Sequence, residues 1–342
     1  MIAVTCGAVV LIVYLTNRQN TGSPEGTYKS ATLFAMDTTL DVTIQGRSDR
    51  EARADAEAVR RTVKGVEDYT SLFIDTSDVA AVNGNAGVAP VKVRPETLLM
   101  IKRSLDYSQR SDGAFDITVG PLAELWGFYS GEFRVPSRAQ IEAVLPLVGW
   151  RRVAIDEPNG TVMLAEKGMA IDLGGVAKGY ALGVAAEELR SRGVEHGLIN
   201  FGGAVAAIGD RSDGRKWVVG IKNPRGEAGD IVGELAVEDT FVNTSGDYQR
   251  YFVENGVRYC HIFDPRTGYP ARDMMAVTVV GPDPMNNDII CKPLFVLGQE
   301  WGMGFMRAEP AYEALFIDAD GEIGMTPGME KKYVITMQGS VR

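Results

Sequence analysis

The chain has 342 residues, with 35 Lys and Arg against 45 Asp and Glu, so its formal net charge is −10. Hydrophobic residues make up 45% and charged residues 23%, which excludes the disordered and fibrous classes and leaves enough chain for a substantial core. The acidic balance, without a basic stripe in the sequence, argues against a nucleic-acid partner.

The N-terminal segment differs from the rest of the chain. Residues 2–15 are almost entirely apolar and are followed by a polar stretch, residues 17–29. As a helix the apolar run would span about 21 Å, short of the roughly 30 Å of bilayer hydrocarbon, which suits a signal peptide or a short anchor. We expect residues 1–16 to direct export or membrane tethering, 17–29 to be a linker, and the remainder to lie on the periplasmic, extracytoplasmic side of the inner membrane. A buried N-terminal strand or helix is the alternative.

Residues 30–342 are predicted to form one mixed α and β domain. Apolar residues at helical spacing predict amphipathic helices, and period-2 alternation predicts strands. The predicted helices are Asp49–Tyr69, Pro95–Arg110, one opened by a capping box at Ser137, and Val176–Arg192, which Gly193 closes. The predicted strands are 41–45, 153–155, 162–164, 198–201, 217–221, 257–262, 277–280, 314–317 and 334–337, with a hairpin turn at Asp320-Gly321 between the last two. This grouping favours an α+β class over a regular βαβ repeat.

Glycines cluster in two stretches that suit a ligand site. Residues 112–121 have glycine at both ends of an apolar run, and Gly174 and Gly175 directly precede a helix with Lys178 one turn in. Free N–H groups at a helix N-terminus bind anions, and an acidic chain needs such local positive potential to hold a phosphate. A helix-entry turn that needs glycine for its backbone angles is the alternative. The Walker A and Rossmann fingerprints do not occur in the sequence, which excludes both nucleotide folds.

Histidine and cysteine are too scarce for a zinc, haem or disulfide framework, since the chain has three Cys and two His. Any metal ion is therefore expected to be a hard, oxygen-bound ion such as Mg²⁺. His261 shares a turn with Asp264 and Arg266, an arrangement of a base and an orienting group, although a packed or capping histidine is the alternative. His196, before Gly197, is predicted to be structural.

Seven segments occur in an order typical of one protein family. They are Met36–Thr38, 113–128, 172–181, 198–203, 243–252, 261–270 and 288–298. In this combination the chain resembles the ApbE family, the FAD:protein FMN transferases or flavin transferases, over roughly residues 30 to 340. The resemblance implies a T-fold-like α+β architecture with antiparallel sheets and packed helices.

The resemblance also implies an activity. Family members bind FAD with Mg²⁺ and transfer its FMN half to a Thr or Ser hydroxyl of an acceptor protein, with release of AMP. Members are typically exported lipoproteins or membrane-tethered, so the acceptor is expected to belong to a membrane redox complex. Such a transfer needs neutralisation of charge on the diphosphate and a base that activates the hydroxyl.

Matching positions to the family's motifs gives each residue an implied role. His261 would be the general base, while the carbonyl of Gly175 and the carboxylate of Asp288 would hold Mg²⁺. The FAD pocket would be lined by Met36, Phe73 (where many members have Tyr), Ala114, Phe115, Asp116, Asp172, Lys178 and Phe263.

The chain departs from the family pattern next to the metal ligand. Lys292 stands where the family usually has a Thr ligand, and an ammonium group repels a cation instead of ligating it. Pro293 is expected to break the local helical turn, and Asp37 replaces a Gly of the family near the pocket.

Three interpretations follow from these departures. In the first, Mg²⁺ still binds through Asp288 and the chain is an active flavin transferase. In the second, Lys292 contacts the diphosphate as a fixed cation, and the chain is a membrane-tethered FAD-binding subunit or assembly factor of a redox complex with little or no transfer. In the third, the chain is a solute-binding protein whose glycines only form turns.

Overall fold

The structure is a computed structural model that describes residues 26–337 and 341. The predicted apolar segment 1–16, with Cys6, and most of the predicted linker lie outside the described residues, so the division of the chain at these points stays a prediction. Within the described range, no helix combines the length and the apolar character needed to cross a bilayer.

Several helices of the described residues begin at a serine that caps them. Ser48 caps α1 and Ser137 caps α5, each in a full capping box with the residue three positions later, as predicted at Ser137. All four predicted helices are confirmed. The helices are α1 (Asp49–Thr70), α2 (Asp78–Gly84), α3 (Pro95–Arg110), α4 (Gly120–Leu125), α5 (Arg138–Val144), α6 (Ala177–Ser191), α7 (Pro284–Met306) and α8 (Pro327–Lys332).

The strands confirm the predicted runs and add several short ones. They are β1 (Tyr28–Lys29), β2 (Leu33–Ala35), β3 (Thr38–Gln45), β4 (Val91–Lys92), β5 (Val153–Asp156), β6 (Thr161–Leu164), β7 (His196–Phe201), β8 (Ala204–Ile208), β9 (Trp217–Lys222), β10 (Ile231–Val237), β11 (Thr240–Gly246), β12 (Tyr251–Glu254), β13 (Val257–Cys260), β14 (Phe263–Asp264), β15 (Tyr269–Pro270), β16 (Met274–Gly281), β17 (Glu313–Asp318), β18 (Ile323–Met325) and β19 (Val334–Met337).

Among the described residues, nine strands form the largest sheet, in the order β1-β3-β7-β8-β11-β16-β17-β18 with β2 beside β3. Each neighbouring pair in it is antiparallel. Smaller sheets are formed by β19-β10-β9, β4-β6-β5, β12-β13 and β14-β15. The predicted α+β class, with antiparallel sheets and packed helices, is confirmed.

Both faces of the large sheet are covered, which explains why its inner strand β8 is apolar at every position. Ala204, Ala206 and Ile208 of β8 pack against α1 and α6, whereas Val205 and Ala207 pack against β9 and β10 on the opposite face. This alternation follows from the period of two residues along a strand. The helix side of the sheet carries α6 and α7, and the candidate site lies at the N-terminal end of α6.

Two local expectations need correction. The turn at Asp320-Gly321 joins β17 to β18, a three-residue strand that the pattern did not predict, and β19 pairs with β10 instead. Pro293 does not break its turn, because α7 continues through it and the non-helical residue is Gly298, with φ 77° and ψ 179°. Burial of the apolar residues around Pro293 outweighs the cost of its missing N–H group.

Candidate active site

The first part of the site is a contact in which the N-terminal turn of α6 meets helix α7. The backbone N–H of Gly179 donates to Oδ2 of Asp288 at 3.0 Å, across 109 positions of sequence. The ammonium group of Lys292, one turn further along α7, contacts Oδ1 of the same carboxylate and donates to the backbone carbonyl of Asp288 at 2.9 Å. Both oxygens of Asp288 therefore already accept hydrogen bonds.

The loop before α6 is held in place by Asp172. Its Oδ1 accepts from the N–H of Gly174 at 2.7 Å, and its Oδ2 accepts from the hydroxyl of Tyr129 at 2.7 Å. Burial and the charge of Asp172 raise the pKa of Tyr129, so this hydroxyl stays protonated as a donor. The carboxylate thereby shapes the glycine turn that precedes the helix.

Three positive side chains, Lys178, Arg250 and Lys292, form what we call the cation cluster. The ammonium group of Lys178 donates to the carbonyl of Gly174 at 2.9 Å, and the guanidinium group of Arg250 donates to the carbonyl of Phe128 at 2.7 Å. Both groups thus donate to neutral carbonyl groups, and burial lowers the pKa of Lys178 while the charges of Asp288 and Asp172 oppose this shift. Such an arrangement leaves positive potential available for an anionic ligand in a chain whose net charge is −10.

His261 lies at the end of β13, within the field of the cation cluster. Burial, together with the positive charges of Arg250, Lys178 and Lys292, lowers the pKa of His261 to about 3, so the imidazole is neutral at neutral pH. Its Nδ1 lies 3.2 Å from the carbonyl oxygen of Arg250, which can only accept. Nδ1 must therefore carry the proton, and Nε2 keeps a free lone pair, as a general base requires.

The prediction that Asp264 orients His261 is wrong. Both carboxylate oxygens of Asp264 accept from the guanidinium group of Arg266, at 2.8 and 2.9 Å, so this pair closes its own turn. The carbonyl of Arg250 orients His261 instead. His196, predicted to be structural, lies at the start of β7 and places its Nδ1 2.9 Å from the carbonyl oxygen of Asp210.

Of the two aromatic residues assigned to the FAD pocket near this loop, Phe115 contacts the glycine turn itself and Phe73 contacts Tyr129. The ring of Phe115 packs so closely on Gly175 that a Cβ added there would lie 3.1 Å from Cε2 of the ring. Phe73 is 56% exposed, and its ring meets the edge of Tyr129 with centroids 5.6 Å apart. An exposed aromatic ring suits the stacking of a planar ligand.

The remaining residues assigned to the pocket have internal partners. Asp116 is buried and accepts from Thr118 and from the N–H of Trp150, and its burial raises its pKa. Phe263 packs with Trp126 and Phe128 in an aromatic cluster. Ala114, next to Phe115, is buried in the main core. Their assignment to the FAD pocket stays a prediction.

Met36 occupies the turn between β2 and β3. Its N–H donates to Oε1 of Glu67 at 3.0 Å, and its φ is 48°, while the φ of Asp37 is 59°. These left-handed angles suit the Gly that the family has at the second position, and Asp is among the residues that tolerate them best. The role of Met36 in FAD binding also stays a prediction.

The donor set around Asp288 does not fit a Mg²⁺ ion as it stands. Mg²⁺ requires about six oxygen ligands in octahedral geometry, and here the carboxylate oxygens are engaged by an N–H group and an ammonium group. Within residues 26–337 and 341, no group of three or more His, Cys, Asp or Glu side chains could hold a metal ion. The methylene next to the Lys292 ammonium lies 3.6 Å from where a Cβ of Gly175 would be, so the lysine extends between the two predicted metal ligands.

Sequence reasoning missed three residues that organise this site: Tyr129, Gly179 and Arg250. Tyr129 orients Asp172, Gly179 binds Asp288, and Arg250 orients His261. All three lie in or next to the segments that resemble the family, so the sequence indicated these regions of the chain but not the contacts of the three residues. The contacts of Tyr129 and Gly179 join segments 43 and 109 positions apart, and the contact of Arg250 depends on the pairing of β12 with β13.

Comparison with known proteins shows which family the chain resembles. The sequence profile of the ApbE family matches residues 36–316. The chain is 36% identical over 269 residues to a FAD:protein FMN transferase of Klebsiella pneumoniae, covering 78% of this chain and 83% of that protein. It is 33% identical over 298 residues to a FAD:protein FMN transferase of Treponema pallidum, covering 83% and 82%.

Solved structures show the same fold. The ApbE protein of Thermotoga maritima superposes with a TM-score of 0.82 at 35% identity, covering 89% of this chain and 98% of that one. The flavin transferase ApbE of Vibrio cholerae gives a TM-score of 0.79 at 28% identity, covering 90% and 99%. Because the profile spans most of the chain and these relatives cover more than three quarters of it, this protein belongs to the ApbE family.

Proposed function

We propose that this chain binds FAD and transfers its FMN half to a Ser or Thr hydroxyl of an acceptor protein, with release of AMP. The relatives named FAD:protein FMN transferase support flavin transfer as its activity. One observation carries the finer proposal: His261 is neutral, with its Nε2 lone pair free, in the field of the cation cluster.

The proposed step balances as a single displacement at phosphorus. The acceptor oxygen forms a bond to the phosphorus of the FMN half, and the bond from that phosphorus to the bridging oxygen of the diphosphate breaks. AMP leaves with the bridging oxygen, and the hydroxyl proton passes to Nε2 of His261. The cation cluster stabilises the negative charge that accumulates on the diphosphate.

The aromatic and glycine-rich surroundings support a flavin dinucleotide as the substrate. Phe73 offers exposed ring surface for the isoalloxazine, and the turn at Gly174 and Gly175 lies beside Lys178 and Lys292, which would attract the phosphates. In this scheme Asp172 and Tyr129 hold that turn. A solute-binding role finds no support in relatives that are named as transferases.

A transfer assay tests the proposal. The purified chain is incubated with FAD and an acceptor domain that carries a flavinylation-type Thr, once with Mg²⁺ and once with EDTA. We expect AMP release and covalent flavin fluorescence on the acceptor in equal amounts. An acceptor with that Thr replaced by Val is the matched control, and labelling of this control would contradict transfer to the hydroxyl.

The contact between Lys292 and Asp288 favours a second candidate, a FAD-binding protein without transfer that serves a redox complex as a subunit or assembly factor. A fixed ammonium group neutralises the diphosphate but draws no electron density from the reacting phosphorus as a metal ion does. FAD binding without AMP release, with or without Mg²⁺, would support this candidate and reject the transferase.

We also propose that the protein works outside the cytoplasm, tethered to the membrane by residues 1–16, and that its acceptor belongs to a membrane redox complex. The apolar run of residues 2–15 supports the tether. Cell fractionation with and without residues 1–25 tests it. We expect the full chain in the membrane fraction and the shortened chain in the soluble fraction, and equal distribution of the two would contradict the proposal.

A further inference from the structure

Asp288 is held in a fixed position by α6. Its Oδ2 accepts from the N–H of Gly179 at 3.0 Å, and its side chain is only 5% exposed. The carboxylate therefore cannot turn toward a new ligand without losing a buried hydrogen bond. A cation that pairs with Asp288 must therefore bind its other carboxylate oxygen, Oδ1.

That remaining oxygen, Oδ1, is paired with the ammonium group of Lys292. Lys292 lies four residues after Asp288 on α7, so the two side chains project from the same face of the helix. The ammonium group has three N–H donors, and the contacts with Asp288 engage the carboxylate and the backbone carbonyl. One donor remains to face a ligand, and the Lys292 side chain is 16% exposed.

The side chain of Lys292 lies beside the glycine turn that precedes α6. The stem of Lys292 passes Gly175, with Cε 3.6 Å from the position of an added Cβ. Lys178 and Arg250, held by backbone carbonyls, belong to the same cluster. The carboxylates of Asp288 and Asp172, which both act on Lys178, offset two of the three charges, so the cluster keeps one net positive charge, which suits a diphosphate.

A divalent cation is disfavoured at the same place. It would have to approach within a few ångströms of a fixed ammonium group in a partly buried setting, where repulsion between like charges is strong. It would also have to displace Lys292 from Asp288, leaving the lysine without its carboxylate partner.

We propose that Lys292 serves as a built-in counter-cation for the diphosphate of FAD, so that this protein binds FAD without a divalent metal ion. This inference rests on the proposed function, since it assumes that FAD is the ligand. It assigns Lys292 a direct contact with the diphosphate, at the location where the family pattern implies a metal ion.

Binding of FAD to the purified full-length chain tests the inference, measured by flavin fluorescence with excess EDTA and with excess Mg²⁺. We expect the same Kd in both conditions for the unmodified protein and for Lys292→Arg. In EDTA, Lys292→Thr should bind about tenfold more weakly or worse, the size expected from one lost charge-assisted contact, and Mg²⁺ should restore its affinity. Lys102→Thr, which removes an exposed lysine paired with Glu157, is the matched control and should bind as the unmodified protein does.

Each other outcome has a defined meaning. Binding by the unmodified protein only when Mg²⁺ is present overturns the inference and leaves the proposed function intact. Equal binding in EDTA by Lys292→Thr and the unmodified protein also overturns it. No FAD binding in either condition rejects the proposed function itself. Thermal melting of each variant without FAD shows whether the variant is folded. The comparison of FAD binding in EDTA and in Mg²⁺ uses the unmodified protein, so it does not depend on the folding of any variant.

Discussion

Gly179 lies so close to Pro284 that the contact leaves no room for a side chain. A Cβ built on Gly179 would lie 2.2 Å from the carbonyl oxygen of Pro284 and 2.8 Å from Cβ of Asp288. The two helices α6 and α7 can therefore approach closely enough for the N–H of Gly179 to reach Asp288 only because this residue is glycine. The position of the candidate site depends on this contact.

Replacement of Gly179 by Ala should push the two helices apart. We expect a loss of about 2–3 kcal/mol in the free energy of unfolding, because the added methyl group meets backbone atoms that cannot move aside easily. Urea denaturation measures this loss. Gly65→Ala is the matched control: Gly65 lies inside α1 with no atom within 4 Å of its added Cβ. This control should gain about 0.5–1 kcal/mol from the better helix propensity of Ala. Equal stability of Gly179→Ala and the unmodified protein would contradict the close approach.

Replacement of His261 by Gln should separate catalysis from binding. We expect the transfer rate to fall by about 10²–10⁴, the usual contribution of a general base, while the Kd for FAD stays near that of the unmodified protein. Covalent flavin on the acceptor and flavin fluorescence titration measure the two quantities. His196→Gln is the control, because His196, at the start of β7, contacts Asp210 in the loop after β8. A comparable loss of rate in both variants would argue against His261 as the base.

The buried, neutral state of His261 should make stability depend on pH. Its pKa is about 3 in the folded protein and about 6.5 when unfolded, because burial and the neighbouring Arg250, Lys178 and Lys292 disfavour the charged form. Between these values the unfolded chain binds the additional proton, so the contribution of His261 is complete above about pH 6.5 and is lost as the pH falls toward 3.

Urea denaturation between about pH 4 and 7 checks this dependence. Other groups titrate in the same range, so the informative quantity is the difference between the unmodified protein and His261→Gln. The free energy of unfolding of the unmodified protein should decrease more steeply on acidification. Parallel curves for the two proteins would show that His261 does not titrate on unfolding.

Removal of the Tyr129 hydroxyl should loosen the turn before α6. Tyr129→Phe leaves Oδ2 of Asp172 without its 2.7 Å hydrogen bond, and loss of a bond to a charged group typically costs about 1.5–3 kcal/mol. We expect this loss in the free energy of unfolding and a weaker Kd for FAD. Tyr251→Phe is the control, because it keeps the ring that lies under the guanidinium group of Arg258 and should change stability by less than about 0.5 kcal/mol. Unchanged stability and affinity of Tyr129→Phe would exclude a positioning role for its hydroxyl.

The sequence by itself determined the helices and strands that depend on short-range chemistry. The capping box at Ser137, the helix Pro95–Arg110 and the strand Val334–Met337 follow from caps and from periods of 3.6 and 2 residues. The proximity of Lys292 to Asp288 follows in the same way, since residues four apart share one face of a helix. The order of the motifs also identified the family.

The tertiary structure alone decided which groups meet across the fold. Tyr129 and Asp172 lie 43 positions apart, and Gly179 and Asp288 lie 109 apart, so no local pattern indicates either contact. The sequence suggested Asp264 as the partner of His261 because the two are close in the chain, whereas the β12-β13 hairpin brings the carbonyl of Arg250 to the imidazole. Periodicity reports the face that a residue presents, but the partner on that face is set by strand order and helix packing, which depend on the whole chain.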